Sequence, residues 1–323
     1  MYIVTGGAGF IGSAMVWKLN EMGITDILVV DNLASTEKWK NLVNRSYADY
    51  IHRDEFIDMV LHDDLPGDVE GIVHMGACSA TTELDADFLM ENNFRYSRVL
   101  CEFALRKGAR FINASSASTY GDGSLGFSDD IALMPRLKPL NMYGYSKQLF
   151  DLWALREEKL DRIASLKFFN VYGPNEYHKG DMKSVVCKAY TQIGETGRMR
   201  LFMSDRPEYT HGGQKRDFVY VKDCVELMWW LLQNEAVGGV FNVGTGNARE
   251  WNHLARAVFA SMDREAVIDY VEMPGHLKGK YQYFTEAPMG WLETHKCPIR
   301  FRSLEEGVDD YVRNYLAQAD PYL

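Results

Sequence analysis

The stretch that most constrains this chain lies near its start. Gly6-Gly7-Ala8-Gly9-Phe10-Ile11-Gly12 follows a short apolar run, Tyr2-Ile3-Val4-Thr5. It leads into a segment whose apolar residues Ile11, Met15, Val16 and Leu19 recur at helical spacing. Strand, glycine turn and helix in that order form a dinucleotide-binding turn. The GxxGxxG spacing of Gly6, Gly9 and Gly12 gives one glycine to a tight turn, one to close approach of backbone to pyrophosphate, and one to helix packing. The phosphates then sit at a helix N-terminus, where free N–H groups and the dipole favour an anion. The alternative, a purely structural turn, is disfavoured by the flanking strand and helix.

The strand–helix alternation continues. Ile27-Leu28-Val29-Val30, Gly71–His74, Arg110–Asn113, Ser165–Phe169 and Val240–Val243 read as strands. Helical stretches are expected at 54–62, 86–106, 143–158 and 223–233. Repeated β-α-β units imply an α/β fold, a Rossmann-like doubly wound parallel sheet with helices on both faces. Phe218-Val219-Tyr220-Val221 reads as a strand returning to that sheet. After Phe169 the texture changes: Gly, Pro, His and Lys cluster through 172–181, and 205–214 is loop-like. Helices are expected again at 251–261 and 304–316. The expected division is a dinucleotide-binding domain of residues 1–170 plus about 214–250, and a smaller mixed α/β substrate domain of about 171–213 plus 251–323.

Composition excludes several classes. The net charge is −10 and no basic block interrupts it, so nucleic acid is an unsuitable partner. An anionic ligand must therefore be held by local cations. No apolar run reaches membrane-span length, and the N-terminus enters a strand without a leader pattern. The five cysteines, Cys78, Cys101, Cys187, Cys224 and Cys297, form no CxxC pair and read as reduced thiols of a cytoplasmic protein. No metal site is expected: His295 and Cys297 are close, but no second ligand pair accompanies them.

Asp31 ends the second strand, about 20 residues past the glycines, where an acid bonds a ribose 2′-hydroxyl and favours NAD. Asn32 follows, and Lys38, Lys40 and Arg53 lie nearby as cations suited to the 2′-phosphate of NADP. Lys40 reads more simply as an exposed charge. Spacing leaves NAD and NADP both open. After the strand at 71–74, Met75-Gly76-Ala77-Cys78-Ser79 is small enough to pass along a cofactor.

Asn113 to Gly121 follows the next strand, and carboxyl ends of strands are where such sheets place their chemistry. Tyr143-Gly144-Tyr145-Ser146-Lys147 comes after it. Tyr143 and Lys147 are four apart and share a helix face. Free tyrosine titrates near 10, and a neighbouring ammonium and an oxidised nicotinamide both favour tyrosinate. Tyr143 can then exchange protons near neutral pH, with Ser116 holding the reacting oxygen. Tyr145 is the rival, but it is two residues from Lys147 and faces away.

The order Gly6-xx-Gly9-xx-Gly12, Ser116, Tyr143-xxx-Lys147 resembles the extended short-chain dehydrogenase/reductase family over essentially the whole chain. Dehydratases of that family carry an acidic pair after the serine; here Ala117-Ser118 stands there. Pro139–Lys147, Phe169–Gly180, Lys215–Val221 and Leu277-Lys278-Gly279-Lys280-Tyr281-Gln282 are similar to the family's heptose epimerases. That resemblance implies NADP, with NAD less favoured, tightly bound and recycled. It implies an ADP-heptose substrate, ADP-D-glycero-β-D-manno-heptose, epimerised at C6 in lipopolysaccharide inner-core precursor synthesis. It also implies a homo-oligomer, a pentamer. Tyr143 and Lys179 become two proton-exchanging groups, with Lys147 supporting Tyr143. Cofactor contacts follow at Phe10, Ile11, Asp31, Asn32, Lys38, Arg53, Met75 to Ser79, Asn92, Lys147, Val171 and Lys179. Substrate contacts follow at Ser116, Asn170, Asp181, Lys188, Phe202, Met203, Ser204, Arg216 and Tyr281.

A carbinol carbon is not acidic, so its epimerase must oxidise it, turn the ketone and reduce the other face. The oxygen points differently in the two geometries, which calls for two proton partners. Lys179 has a second reading as a phosphate contact, and Arg216 a second reading as a surface partner of Asp217. Rival functions are a UDP-hexose 4-epimerase, a non-catalytic dinucleotide sensor and a net oxidoreductase. A sensor has no need of Ser116, Tyr143 and Lys147 together.

Overall fold

The computed structural model describes residues 1–275 and 281–323. Leu277, Lys278, Gly279 and Lys280 of the lysine–glycine motif lie outside the described residues. Six strands come in the first half: β1 (Tyr2–Thr5), β2 (Ile27–Asp31), β3 (Asp49–His52), β4 (Gly71–His74), β5 (Arg110–Ser116) and β6 (Ile163–Phe168). They are followed by β7 (Asn170–Tyr172), β8 (Met199–Phe202), β9 (Lys215–Arg216), β10 (Phe218–Tyr220), β11 (Gly239–Val243), β12 (Arg249–Glu250) and β13 (Ile268–Val271). The central sheet has seven strands in the order β11-β6-β5-β4-β1-β2-β3, all parallel.

Alternate side chains on a strand point to opposite faces, and here both faces are buried. Val4, Val29, Val73 and Ile112 pack with the helices α1 (Phe10–Glu21) and, from the second half, Val221–Gln233. Ile3, Leu28, Ile72 and Phe111 pack on the other side with α2 (Arg53–His62), α3 (Tyr96–Lys107) and α4 (Met142–Arg156). The other helices of eight residues or more are α5 (Val185–Thr196), α6 (Val221–Gln233), α7 (Trp251–Ser261) and α8 (Leu304–Tyr311). α5, α7, α8 and β8 continue the first of these two cores through Val186, Ile193, Leu201, Val258 and Val308. α8 starts at a capping box in which Ser303 and Glu306 satisfy each other's free amides.

Several expectations need correction. Phe218–Tyr220 does not rejoin the central sheet; it pairs with β7 in a separate two-stranded parallel sheet. β11 is the strand that returns, beside β6. β3 was not expected, because Asp49-Tyr50-Ile51-His52 is a half-exposed edge strand without an apolar run. The helix expected at 86–106 contains a π turn, Met90–Arg95, ahead of α3. β8, β13 and α5 were not expected either. Among the described residues no helix is long and apolar enough to cross a membrane. Nor does any group of three or more His, Cys, Asp or Glu stand close enough to hold a metal ion.

Gly12 sits in the first turn of α1, where an added Cβ would run into the Gly6 carbonyl oxygen, a backbone atom that cannot step aside. Gly12→Ala is expected to lower stability by about 1–3 kcal/mol, the ordinary cost of overpacking. Urea unfolding measures this, and an unchanged midpoint would contradict the packing role.

Candidate active site

The sheet order reverses between β1 and β4, and the carboxyl ends of the strands flanking that switch point are where open α/β sheets bind ligands. A cavity of 490 Å³ opens there. Gly6, Gly9, Phe10, Ile11 and Gly12 form one wall; Asp31, Asn32, Lys38 and Arg53 form another. Met75, Gly76, Ala77, Cys78, Ser79 and Asn92 line the side after β4, and Tyr143, Lys147, His178 and Lys179 close it. Every expected cofactor contact lines this cavity except Val171, which is half-buried on β7. Gly6 is left-handed at φ +63, and a Cβ there would lie 2.7 Å from the Gly76 nitrogen. The first turn of α1 carries no side-chain cap and no acid, so its N–H groups face an anion freely.

Asp31 does not face the cavity unencumbered. Its Oδ2 accepts the Ala8 N–H at 2.9 Å, and its Oδ1 accepts the Asn32 N–H at 2.7 Å and Lys38 Nζ at 2.6 Å. The acid braces the glycine turn. Arg53 donates to Asn92 Oδ1 and, at 3.2 Å, to Asp54. Lys38 and Arg53 therefore bring two cations to the far end of the cavity. Lys40 pairs with Glu37 at 2.7 Å and takes no part in the wall.

On α4, Tyr143, Lys147 and Asp151 follow one another at four-residue spacing down one face. Tyr145 is 44% exposed and lies off that face. Ser116 is not in the cavity wall, although Ser115 is, but the Ser116 side chain lies close enough to act on the Tyr143 hydroxyl. Burial pushes the Tyr143 hydroxyl above its ordinary value, and Ser116 pulls it back. Burial pushes Lys147 down to about 8, opposed by Asp151. Asp151 is fully buried; it accepts the Ser115 and Ser165 hydroxyls, each at 2.6 Å, and pairs with Lys167 at 3.4 Å. Lys167 donates to Thr119 Oγ1 at 2.6 Å, and Thr119 donates to the Ser116 carbonyl at 2.8 Å. A buried ion pair thus holds the strand end that carries Ser116.

Lys179 enters from the segment after β7, with Nζ 5.1 Å from the centre of the Phe10 ring. Burial lowers its affinity for the proton and Glu176 opposes that. This is the direction a lysine base requires.

The expected substrate residues do not all converge. Arg216 is buried, 5.2 Å from the Tyr281 ring centre, and Phe202 meets Tyr281 edge-on at 6.3 Å. Arg216 donates to the Lys215 and Gln282 carbonyls; Asp217 is not its partner but accepts instead from Thr245, Gly246 and Ala287. Met203 and Ser204 follow β8, where Met203 N–H bonds the Val271 carbonyl and Ser204 N–H bonds His211. Asp181 and Lys188 line a separate depression of 430 Å³ with Lys183 and Arg200. Asn170 is exposed at the start of β7.

Sequence reasoning missed a buried relay behind the cavity. Ser97 Oγ donates to the Asn93 carbonyl at 2.6 Å, so it can only accept from His74 Nε2 at 2.8 Å. His74 Nδ1 then accepts the Thr5 hydroxyl at 2.6 Å, and Thr5 Oγ1 accepts the Gly76 N–H at 3.2 Å. This chain joins the ends of β1 and β4 to α3, and it requires a neutral imidazole. Asn93 extends it, accepting the Cys78 N–H at 2.9 Å and donating to Ser146 on α4 at 3.0 Å. The only signal was a histidine ending an apolar strand, and its partners are far away in sequence.

The chain belongs to the NAD dependent epimerase/dehydratase family, whose model matches residues 2–244. It is 75% identical over 323 residues to a protein of Nitratidesulfovibrio vulgaris named ADP-L-glycero-D-manno-heptose-6-epimerase, covering 100% of each. A protein of the same name from Fusobacterium nucleatum is 49% identical over 332 residues, again covering 100% of each. The crystal structure of the Helicobacter pylori ADP-L-glycero-D-manno-heptose-6-epimerase superposes with a TM-score of 0.83 at 26% identity, covering 98% of this chain and 96% of that one.

Burial pushes His74 down from 6.5 to about 3. Between those values the unfolded chain binds a proton that the folded chain refuses, so stability falls as pH drops through that window, by at most about 1.4 kcal/mol per pH unit from this group. His74→Gln lacks that titration. Chemical denaturation of both proteins should show wild type losing stability faster on acidification; parallel curves would contradict a neutral His74.

Proposed function

We propose that the chain is an ADP-glyceromanno-heptose 6-epimerase, interconverting ADP-D-glycero-β-D-manno-heptose and its L-glycero epimer for lipopolysaccharide inner-core precursors. The observation that carries this reading is that one cavity holds the glycine turn together with two separate proton partners, Tyr143 and Lys179. Full-length identity of 75% to a relative of that name supports the substrate. We further take residues 1–170 plus about 214–250 as the dinucleotide domain, the rest as the substrate domain, and the active form as a cytoplasmic homo-oligomer.

The cavity fits a nicotinamide dinucleotide, since side chains are missing where backbone must approach pyrophosphate and the N-terminus of α1 is uncapped. A nicotinamide held there by the glycine turn and the N-terminus of α1 would supply reversible hydride transfer at C6. Lys38 and Arg53 hold a 2′-phosphate, which selects NADP, while Asp31 is occupied by its own donors. Tyr143 exchanges the sugar hydroxyl proton in one geometry, with Ser116 beside it and Lys147 beneath it. Lys179 exchanges the proton in the other geometry, once the ketone has turned. Phe202, Arg216 and Tyr281 bind the ADP portion, where a planar guanidinium suits paired phosphate oxygens.

Proton NMR of the purified protein with ADP-D-glycero-β-D-manno-heptose and no added cofactor should show the L-glycero epimer appearing without net NADPH. Conversion of UDP-glucose instead would overturn the assignment. Lys179→Met should fold normally yet lose epimerisation by on the order of 100-fold or more, the usual weight of a positioned acid–base group; turnover like wild type would sink the two-partner scheme. Replacing Lys38 and Arg53 together by Ala should weaken NADP at least tenfold while leaving NAD nearly unchanged, measured by calorimetry. Equal losses for both would contradict 2′-phosphate recognition.

A further inference from the structure

The segment that presents Lys179 is anchored by two adjacent residues to which the reaction gives no chemical task. Asn175 and Glu176 are both fully buried. Asn175 is left-handed at φ +75, a conformation that a side chain rarely adopts without compensating bonds. Its amide supplies them. Nδ2 donates to Ser13 Oγ on α1 at 2.9 Å, and Oδ1 accepts the Leu323 N–H at 3.0 Å. Its backbone carbonyl accepts Asn41 Nδ2 at 3.0 Å, and the same nitrogen reaches the Ala8 carbonyl in the glycine turn at 2.9 Å. Asn175 thereby ties the Lys179 segment to the turn and to the first helix of the cofactor site.

Glu176 closes the segment. Its carboxylate accepts the Gly173 N–H at 3.3 Å, the Ser184 hydroxyl at 2.6 Å and the Ser184 N–H. These donors bridge residues on both sides of Lys179, and the Lys179 N–H bonds the Glu176 carbonyl at 3.1 Å. Burial raises the Glu176 carboxyl, while the Ser184 bonds and Lys179 pull it down. Tyr177, Cys187 and Tyr311 face it from the other side, all held neutral by burial. Beyond Lys179 stand His178, pushed down to about 4, and the Lys38–Asp31 pair.

We propose that Asn175 and Glu176 are positioning residues for Lys179: Asn175 registers its segment against the dinucleotide turn, and Glu176 closes the segment and supplies the negative charge that faces the amine. Ligand-dependent placement of the glycine turn is then felt directly at the second proton partner. This rests on Lys179 serving as that partner, as argued above.

Trace acetylation of the full protein across a pH series, read by mass spectrometry and normalised to exposed lysines, tests it with or without activity. In Glu176→Gln the Lys179 amine should lose its proton at lower pH, and label about three- to tenfold faster near neutrality, as expected for a change of up to about one pKa unit. Ser184→Ala, which removes the hydroxyl donor to Glu176 along with the N-cap of α5, should move labelling in the same direction by less, and carries the test if Glu176→Gln does not fold. Asn175→Gly keeps the left-handed backbone but removes the amide; NADP should protect Lys179 from acetylation in wild type and much less in this variant. Unchanged labelling in the folded carboxylate-site variants, or full NADP protection in Asn175→Gly, would overturn the proposal. Failure of wild type to turn over ADP-heptose would instead strike at the proposed substrate and leave the labelling outcome to stand alone.

Discussion

A Cβ on Gly6 would stand 2.7 Å from the Gly76 nitrogen, and that contact sets how closely the ends of β1 and β4 can approach. The strand order reverses between these two strands, so the same gap fixes the floor of the cavity. The glycine turn fills it with backbone alone. Around that contact, buried hydrogen bonds hold what backbone packing leaves free. Thr5, His74 and Ser97 tie β1 and β4 to α3, and Asn93 passes the connection to α4 through Ser146. Asp31 and Asn41 tie the turn to the loop after β2. Buried hydrogen bonds consequently join the cofactor turn, the tyrosine helix and the Lys179 segment.

Electrostatics then differentiates three lysines in an acidic chain. Burying a charge is costly unless it is paired and hydrogen-bonded. Lys167 meets that requirement with Asp151 and Thr119, and so serves as a fixed brace behind Ser116. Lys147 sits one helical turn from the same aspartate, feels its charge, and is pushed down to about 8 by burial. Lys179 is half-buried over an aromatic ring with Glu176 as its counter-charge. Burial thus lowers the proton affinity of all three, and Lys167 is the one held by an ion pair as a brace.

How much of this was legible depended on whether the signal was local. The glycine turn, the Tyr143–Lys147 spacing and the small residues after β4 are each contained in a few consecutive positions, and all of them meet in one cavity. Tyr145 could be set aside from helix periodicity alone, and it is exposed. What was missed depends on partners remote in sequence. β3 lacks an apolar run, and β10 carries one but finds β7 rather than the central sheet. His74 acquires its function from residues 5 and 97, and Asn175 from residues 13, 41 and 323. The second reading of Arg216, as a partner of its sequence neighbour Asp217, fails because in the fold the two face different partners.

In the proposed reaction a bound dinucleotide would supply hydride exchange at C6, with Tyr143 and Lys179 as the proposed proton partners. The most direct measurement is the fate of an isotope at that carbon. ADP-D-glycero-β-D-manno-heptose deuterated at C6 would be converted in ordinary water, and the product examined by NMR and mass spectrometry. Full retention of deuterium at C6 of the L-glycero epimer is the result this account predicts. Replacement of the label by solvent hydrogen would mean that the carbon is deprotonated rather than oxidised, and would contradict it.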